Sequence, residues 1–201
     1  MKVFDKFFML LRRYYYKVKY PSVKFGKIFP YGKLDIEIEK GSKIILGDNL
    51  FIRKKSNLRL LARKNSVIEL GKDIDVQGDG IVIDGCSDSK ITIGNNVEFF
   101  KFVTITSRSN INIGNWVIIA PFVYIVDNDH KIDNKVKIKE SEWISKPIVI
   151  GENTWIGTKV TILKGIDIGE NCVIGANSVV TKSFQKNNMI AGIPAKIIKE
   201  I

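Results

Sequence analysis

Histidine is almost missing from this chain: one, His130, stands in 201 residues. A mononuclear zinc site with three histidine ligands cannot be assembled from a single copy, so hydration chemistry at such a centre is excluded and no metal is expected. Cysteine is scarce too. Cys86 and Cys172 are far apart and form no CxxC, which argues against a secreted disulfide framework or a zinc cluster and predicts a reducing, cytoplasmic setting. Long apolar runs are also absent. Residues 7–11 are too few for the apolar stretch of a signal peptide, and residues 116–126 are broken by Pro121. Both fall short of the roughly 20 residues of a membrane span, so neither export nor spanning is expected.

What is present suffices for one compact domain with its own core: 45% hydrophobic, 26% charged and 10% aromatic residues. Lys+Arg 32 against Asp+Glu 21 gives a net charge of +11, which favours anionic partners such as phosphorylated cofactors, acidic saccharides or membrane surfaces. The basic residues are spread along the chain without a base-reading motif, so nucleic acid is not an expected partner.

The strongest organising signal is a period of six. Ile150, Ile156, Ile162, Ile168, Ile174 and Val180 form an unbroken aliphatic series, followed by glycine at Gly151, Gly157, Gly169 and Gly175. Ile93, Phe99 and Ile105, then Ile113, Ile119 and Ile125, repeat it upstream. Leu46, Ile52 and Leu58, then Leu70, Val76 and Val82, suggest earlier coils with irregular corners. A helix would send every sixth side chain to the opposite face. Three short strands per turn, bent at Gly or Asn corners, keep them all inside, so the spacing predicts an all-β solenoid over residues 21–186. Cys172 falls in the repeat and reads as a small buried hydrophobe.

A solenoid has two open ends. Residues 1–20 carry Phe4, Phe7, Phe8, Leu11, Tyr15 and Val18 at helical spacing and stop at Pro21, which predicts an amphipathic helix. With six basic residues against one acidic, it is either a lid on the first coil or an anchor at a membrane surface. Residues 187–201 are expected to cap the other end.

The six-residue rhythm breaks once, over residues 127–147, and His130 lies in the break between Asp127, Asp129 and Asp133. Insertions at solenoid corners commonly build the functional face. An imidazole oriented by one of these carboxylates is suited to general acid–base work.

The run KPIVIGENTWIGTKVTILKGIDIGENCVIGANSVVTKSFQKNNMIAGIPAKIIKEI, preceded by the loop histidine and by IGNWVIIAPFVYI, resembles the hexapeptide-repeat acyltransferases, especially the maltose, galactoside and polysaccharide O-acetyltransferase branch. The likeness is close over residues 91–201 and rests on the WIG, SVVTK and AGIPAK runs together. It implies a left-handed parallel β-helix, a homotrimer, and an acetyl-CoA site between adjacent subunits. Left-handedness comes from the resemblance alone, since crossovers are usually right-handed. Position by position, His130 matches the family's general base. Trp155 matches the tryptophan of the WIG run beside the coenzyme's pantetheine arm or the acceptor, Thr158, Ala176, Thr181 and Lys182 match positions along the coenzyme arm, and Lys196 and Lys199 match basic residues near its phosphates. Phe100, Asp127, Asn128, Asp129 and Trp143 would face the acceptor.

Two departures bear on that acceptor. Phe100 stands where sugar-acetylating members have an asparagine, and Lys131 follows the histidine where proline is common. With the basic helix, they favour a capsule, O-antigen or other surface-glycan precursor over a free disaccharide, and a chain acting in the cytoplasm or at the inner face of the plasma membrane. An antibiotic O-acetyltransferase of the same plan and a non-catalytic solenoid are the competing readings.

Overall fold

Three six-residue units per turn place residue i beneath residue i+18, and the backbone has this stacking from Ile150 onward, where Ile150 lies on Ile168; the earlier coils are longer, with Ile93 on Ile113 and Leu46 on Leu70. The computed structural model describes residues 3–201, with side chains from Phe7 onward. Phe4 of the expected helical face lies outside the described side chains. Parallel strands build three faces of seven, nine and seven strands. On the first, Ile113 pairs with Ile148–Ile150 at Ile150, which pairs with Ile168. On the second, Ile119, Ile156, Ile174 and Ile190 are in register. On the third, Ile105, Ile125, Ile162 and Val180 are. All point inward and are at most 1% exposed. Each coil buries its aliphatic layer only against the next, so the stack itself removes that apolar area from water.

One member of the expected column is misplaced. Val82 is half-exposed, while Ile81 and Ile83 are buried. Ile83 is the residue paired with Ile105. The corner carrying Gly78 and Gly80 brings Ile83 seven residues after Val76, one more than the six between Phe99 and Ile105 in the next coil, and with a side-chain period of two a single extra residue moves the next side chain to the other face.

Corners require left-handed backbone. Among the described residues fourteen non-glycine positions have φ between 54° and 62°, seven of them asparagine, which tolerates this region better than most residues. Asn153 donates to Asn171 at 2.9 Å and Asn171 to Asn187 at 3.1 Å, a side-chain ladder along one edge. Gly157 serves close approach instead: a Cβ there would lie 2.6 Å from the Ile174 carbonyl oxygen.

Helix α1, Val3–Lys19, sits on the first coil. Met9 and Tyr16 are buried, the Leu34 N–H donates to the Tyr16 hydroxyl at 3.1 Å, and Arg12 donates to the carbonyls of Pro30 and Tyr31, both at 2.8 Å. The contact stripe is therefore Met9, Arg12 and Tyr16. The apolar stripe, which the sequence left as either a lid or a membrane anchor, does not dock: Phe7, Phe8, Leu11, Tyr15 and Val18 are exposed. The donors and acceptors of the coil's open edge have to be met, and Arg12 and Tyr16 meet them where apolar side chains cannot. At the other end the antiparallel strands Asn188–Gly192 and Ala195–Glu200 close the second face, with Phe184 and Ala195 buried. Among the described residues no helix is long and apolar enough to cross a membrane.

Candidate active site

The loop leaves the third face after Tyr124–Val126 and returns as an antiparallel ribbon. Asn128–His130 pairs with Trp143–Ser145, setting Asn128 opposite Ser145 and His130 opposite Trp143. The Lys146 N–H donates to the Asp127 carbonyl at 2.9 Å and the Lys131 N–H to the Glu142 carbonyl at 2.8 Å. The ribbon is thus closed on both sides of the histidine.

Asp127 fixes its root. The residue is fully buried, and its carboxylate accepts from the Ser107 hydroxyl at 2.6 Å, the Arg108 N–H at 2.7 Å, the Ser109 N–H at 2.9 Å and Asn128 Nδ2 at 3.2 Å. A buried carboxylate is tolerable only with such a set of donors. Asp129 is ion-paired with Lys164. Asp133 accepts from the Lys135 N–H at 2.9 Å. None of the three aspartates is bonded to the imidazole, contrary to the expectation that one of them orients it.

The partner of the imidazole is Ser141. Its Oγ lies 3.3 Å from His130 Nδ1 and 2.7 Å from the Ile138 carbonyl, to which it donates. With its one proton committed there, Ser141 has only lone pairs to offer the ring, which puts the imidazole proton on Nδ1 and leaves Nε2 as an acceptor. Sequence reading missed this residue because the contact depends on the turn at Ile138–Glu140 within the loop.

Trp143 flanks the histidine with ring centroids 3.8 Å apart, and the Arg108 guanidinium lies 4.0 Å from the Trp143 ring centroid. These groups border a cavity of about 570 Å³ with Tyr124, Val126, Asn128 and Leu163 on its walls. Cys86 also borders it, and burial pushes its thiol pKa up, so it stays protonated and unreactive near neutral pH. Cys172 is completely buried in the core and likewise raised by burial. A somewhat larger hollow, about 660 Å³, opens at Tyr31, Phe51 and Arg53, but it holds no histidine and its Asp75 is ion-paired with Arg53.

The remaining expected residues fall on two regions. Trp155 stands exposed on the second face. Phe100 and Thr158 lie at its corner with the third, where the Phe100 N–H donates to the Ile119 carbonyl at 3.0 Å and the Thr158 hydroxyl to the Pro121 carbonyl at 2.7 Å. Ala176 is on the same corner, its N 2.8 Å from where a Gly157 Cβ would be. Thr181 and Lys182 follow Val179–Val180 on the third face, at the edge from which the histidine loop departs. Lys196 and Lys199 are exposed on Ala195–Glu200, and neither has an ion pair among the described residues. Small side chains at the corner and unpaired lysines beyond it suit a slender arm ending in phosphates. Among the described residues no three His, Cys, Asp or Glu side chains converge as a metal site would need.

A parallel β-solenoid with one histidine-bearing ribbon defines a class, and comparison with known proteins narrows it. Residues 147–182 match the family model described as bacterial transferase hexapeptide (six repeats). The putative lipopolysaccharide biosynthesis O-acetyl transferase WbbJ of Escherichia coli strain K12 is 35% identical over 151 residues, 69% of this chain and 74% of that protein. The chain belongs to the hexapeptide-repeat transferase family. A solved galactoside acetyltransferase in complex with coenzyme A is 41% identical, covering 55% of each chain with a TM-score of 0.53. The polySia-specific acetyltransferase NeuO is 28% identical across 89% of this chain and 86% of its own, with a TM-score of 0.61. The chain spans about half the length of the galactoside O-acetyltransferases it matches.

Proposed function

We propose that this protein is an acetyl-CoA-dependent O-acetyltransferase that modifies a hydroxyl of a saccharide, with His130 as general base. The observation that carries the reading is the only histidine of the chain, its Nδ1 3.3 Å from Ser141 Oγ and its ring on the wall of a cavity of about 570 Å³. Family membership supports the chemistry. A sugar hydroxyl is a weak nucleophile near neutral pH, so a neutral imidazole that takes its proton during attack speeds transfer. Acetyl-CoA would supply the activated acyl group as a thioester. Nε2 takes the hydroxyl proton as the acceptor oxygen bonds the acyl carbon, and returns it to the departing sulfur. Ser141 holds Nδ1–H throughout and carries no proton across. Trp155, Thr158, Ala176, Thr181 and Lys182 line the donor arm in this reading, and Lys196 and Lys199 meet its phosphates. Phe100, Asn128 and Trp143 border the acceptor.

A homotrimer is part of the proposal. Trp155 and the corner at Thr158 belong to the second face, whereas His130 leaves from the far edge of the third. A second copy can bring one region against the other. Surface-glycan precursors are the acceptor class favoured by the similarity to WbbJ. The exposed stripe of Phe7, Phe8, Leu11, Tyr15 and Val18, flanked by Arg13, Lys17 and Lys19, suits the surface of an anionic bilayer.

The test is release of coenzyme A from acetyl-CoA in the presence of saccharide acceptors by wild type and His130→Ala. A fall of about 10²- to 10⁴-fold in turnover is expected from loss of a general base, with unchanged circular dichroism. Equal turnover by the two proteins refutes the reading. Light scattering checks the trimer, and co-sedimentation with phosphatidylglycerol vesicles checks the helix.

A further inference from the structure

The cavity beside His130 contains three cationic or anionic systems, and two are internally neutral. Arg63 pairs with Asp84 at 3.2 Å, and Asp129 pairs with Lys164. Arg108 is the third. Its side chain is exposed, it lies over Trp143, and among the described residues its guanidinium makes no ion pair and no hydrogen bond. The buried Asp127 beneath it has its carboxylate committed to the Arg108 and Ser109 N–H groups, Ser107 and Asn128, so it offers the guanidinium no bond.

Trp143 touches both Arg108 and His130. The arrangement therefore places an unpaired, planar set of N–H donors against the same indole that flanks the imidazole, on the wall of one cavity. A guanidinium stacked on an aromatic ring has given up part of its hydration and motion, and it binds carboxylates through two parallel hydrogen bonds. We propose that Arg108 is the anion receptor of the acceptor subsite and that the acceptor is a carboxylated saccharide, its carboxylate on Arg108 and its reactive hydroxyl towards His130. This rests on the transferase reading and narrows its substrate class. Neutral galactosides would leave the guanidinium without a partner.

The experiment separates the two levels. Oligomers of galacturonate, glucuronate and N-acetylneuraminate, and neutral galactose oligomers of equal length, are titrated calorimetrically into the full chain without acetyl-CoA. The titrations are repeated with Arg108→Gln and Arg108→Lys. At least one carboxylated series should bind 10-fold or more tightly than the neutral one. Arg108→Gln should weaken it about 10- to 100-fold, as expected for a charge-assisted pair, with partial retention in Arg108→Lys and weakening by added salt. Binding of no carboxylated oligomer at millimolar concentration overturns the inference. So does equal binding of neutral and charged series, or an Arg108→Gln variant that loses coenzyme A affinity instead, since the cation would then serve the donor phosphates. Acetyl transfer from acetyl-CoA is assayed on the same proteins. Transfer to neutral sugars alone leaves the transferase reading standing and removes this one. Arg108-dependent saccharide binding without any transfer does the reverse.

Discussion

Asp127 lies three residues before His130, and its environment makes a quantitative prediction. If it anchors the ribbon, Asp127→Ala orphans two buried groups outright, the Ser107 hydroxyl and Asn128 Nδ2, together with the part-buried Arg108 N–H. The Ser109 N–H keeps a weak alternative at 3.3 Å to Ser107 Oγ. Each buried donor left without a partner costs about 1–3 kcal/mol, so Asp127→Ala should lose roughly 2–5 kcal/mol. Asp127→Asn retains an acceptor for the Arg108 N–H but turns an amide towards Ser109, another donor, and should lose about 1–2 kcal/mol. For a domain of this size each kcal/mol lowers Tm by about 2–4 °C. Urea unfolding followed by circular dichroism reads the loss, and steady-state kinetics on the same preparations reads the site. Both substitutions should lower kcat, because the ribbon that carries His130 loosens, in the order Ala worse than Asn. A chain whose Asp127→Ala form unfolds within 0.5 kcal/mol of wild type while its acceptor KM rises tenfold or more would refute the anchoring argument and return Asp127 to the acceptor.

The remaining predictions concern Ser141, the core, one corner and the thiols. Ser141→Ala should lower kcat by about 3- to 30-fold with little change in either KM, since the Nδ1 proton loses its acceptor; Ser141→Thr should restore most of it, and an unchanged kcat in Ser141→Ala counts against the tautomer assigned to His130. Phe99→Ala, at a fully buried ring, should cost about 3–5 kcal/mol in urea unfolding; a loss below 1 kcal/mol contradicts a close-packed stack. Trp116 is exposed with φ 59° on an edge where Asn96 and Asn153 hold the equivalent corner, so Trp116→Asn should raise stability by about 0.5–1 kcal/mol, checked by the urea midpoint. Burial raises both thiol pKa values, with Asp84 adding to it at Cys86. At alkaline pH the unfolded chain therefore sheds protons that the native chain keeps. The stability contribution is complete below the ordinary thiol range and declines as pH rises through it; a midpoint that is flat from pH 7 to 10, or equally steep in a Cys86→Ser, Cys172→Ala variant, goes against this.

Much of the fold was legible because a period of six with aliphatics inside has few other solutions. Ile150, Ile156, Ile162 and Ile168 need no knowledge of their neighbours to be recognised as a series, and the stacking of Ile150 on Ile168 follows once three strands per turn are accepted. Val82 was misassigned because a one-residue insertion at a corner leaves hydrophobicity intact on both sides and changes only which residues face inward. The helix illustrates a different limit. Its apolar stripe was legible, but which stripe docks depends on the open coil edge, whose carbonyls and N–H groups are met by Arg12 and Tyr16.

At the candidate site, the sequence by itself determined that the rhythm breaks at residues 127–147 and that the sole histidine lies there. Only the tertiary structure decided what surrounds it. Asp127 and Asp129 are neighbours of His130 along the chain, yet an alternating ribbon sends consecutive side chains to opposite faces, and both carboxylates are taken up by Ser107 and by Lys164. Ser141, Trp143 and Arg108 reach the imidazole or its neighbour across 11, 13 and 22 positions of chain, by way of a turn, a strand pairing and the preceding coil. Short-range pattern records which side chains a segment needs to bury; it carries no record of which distant segment is folded against it.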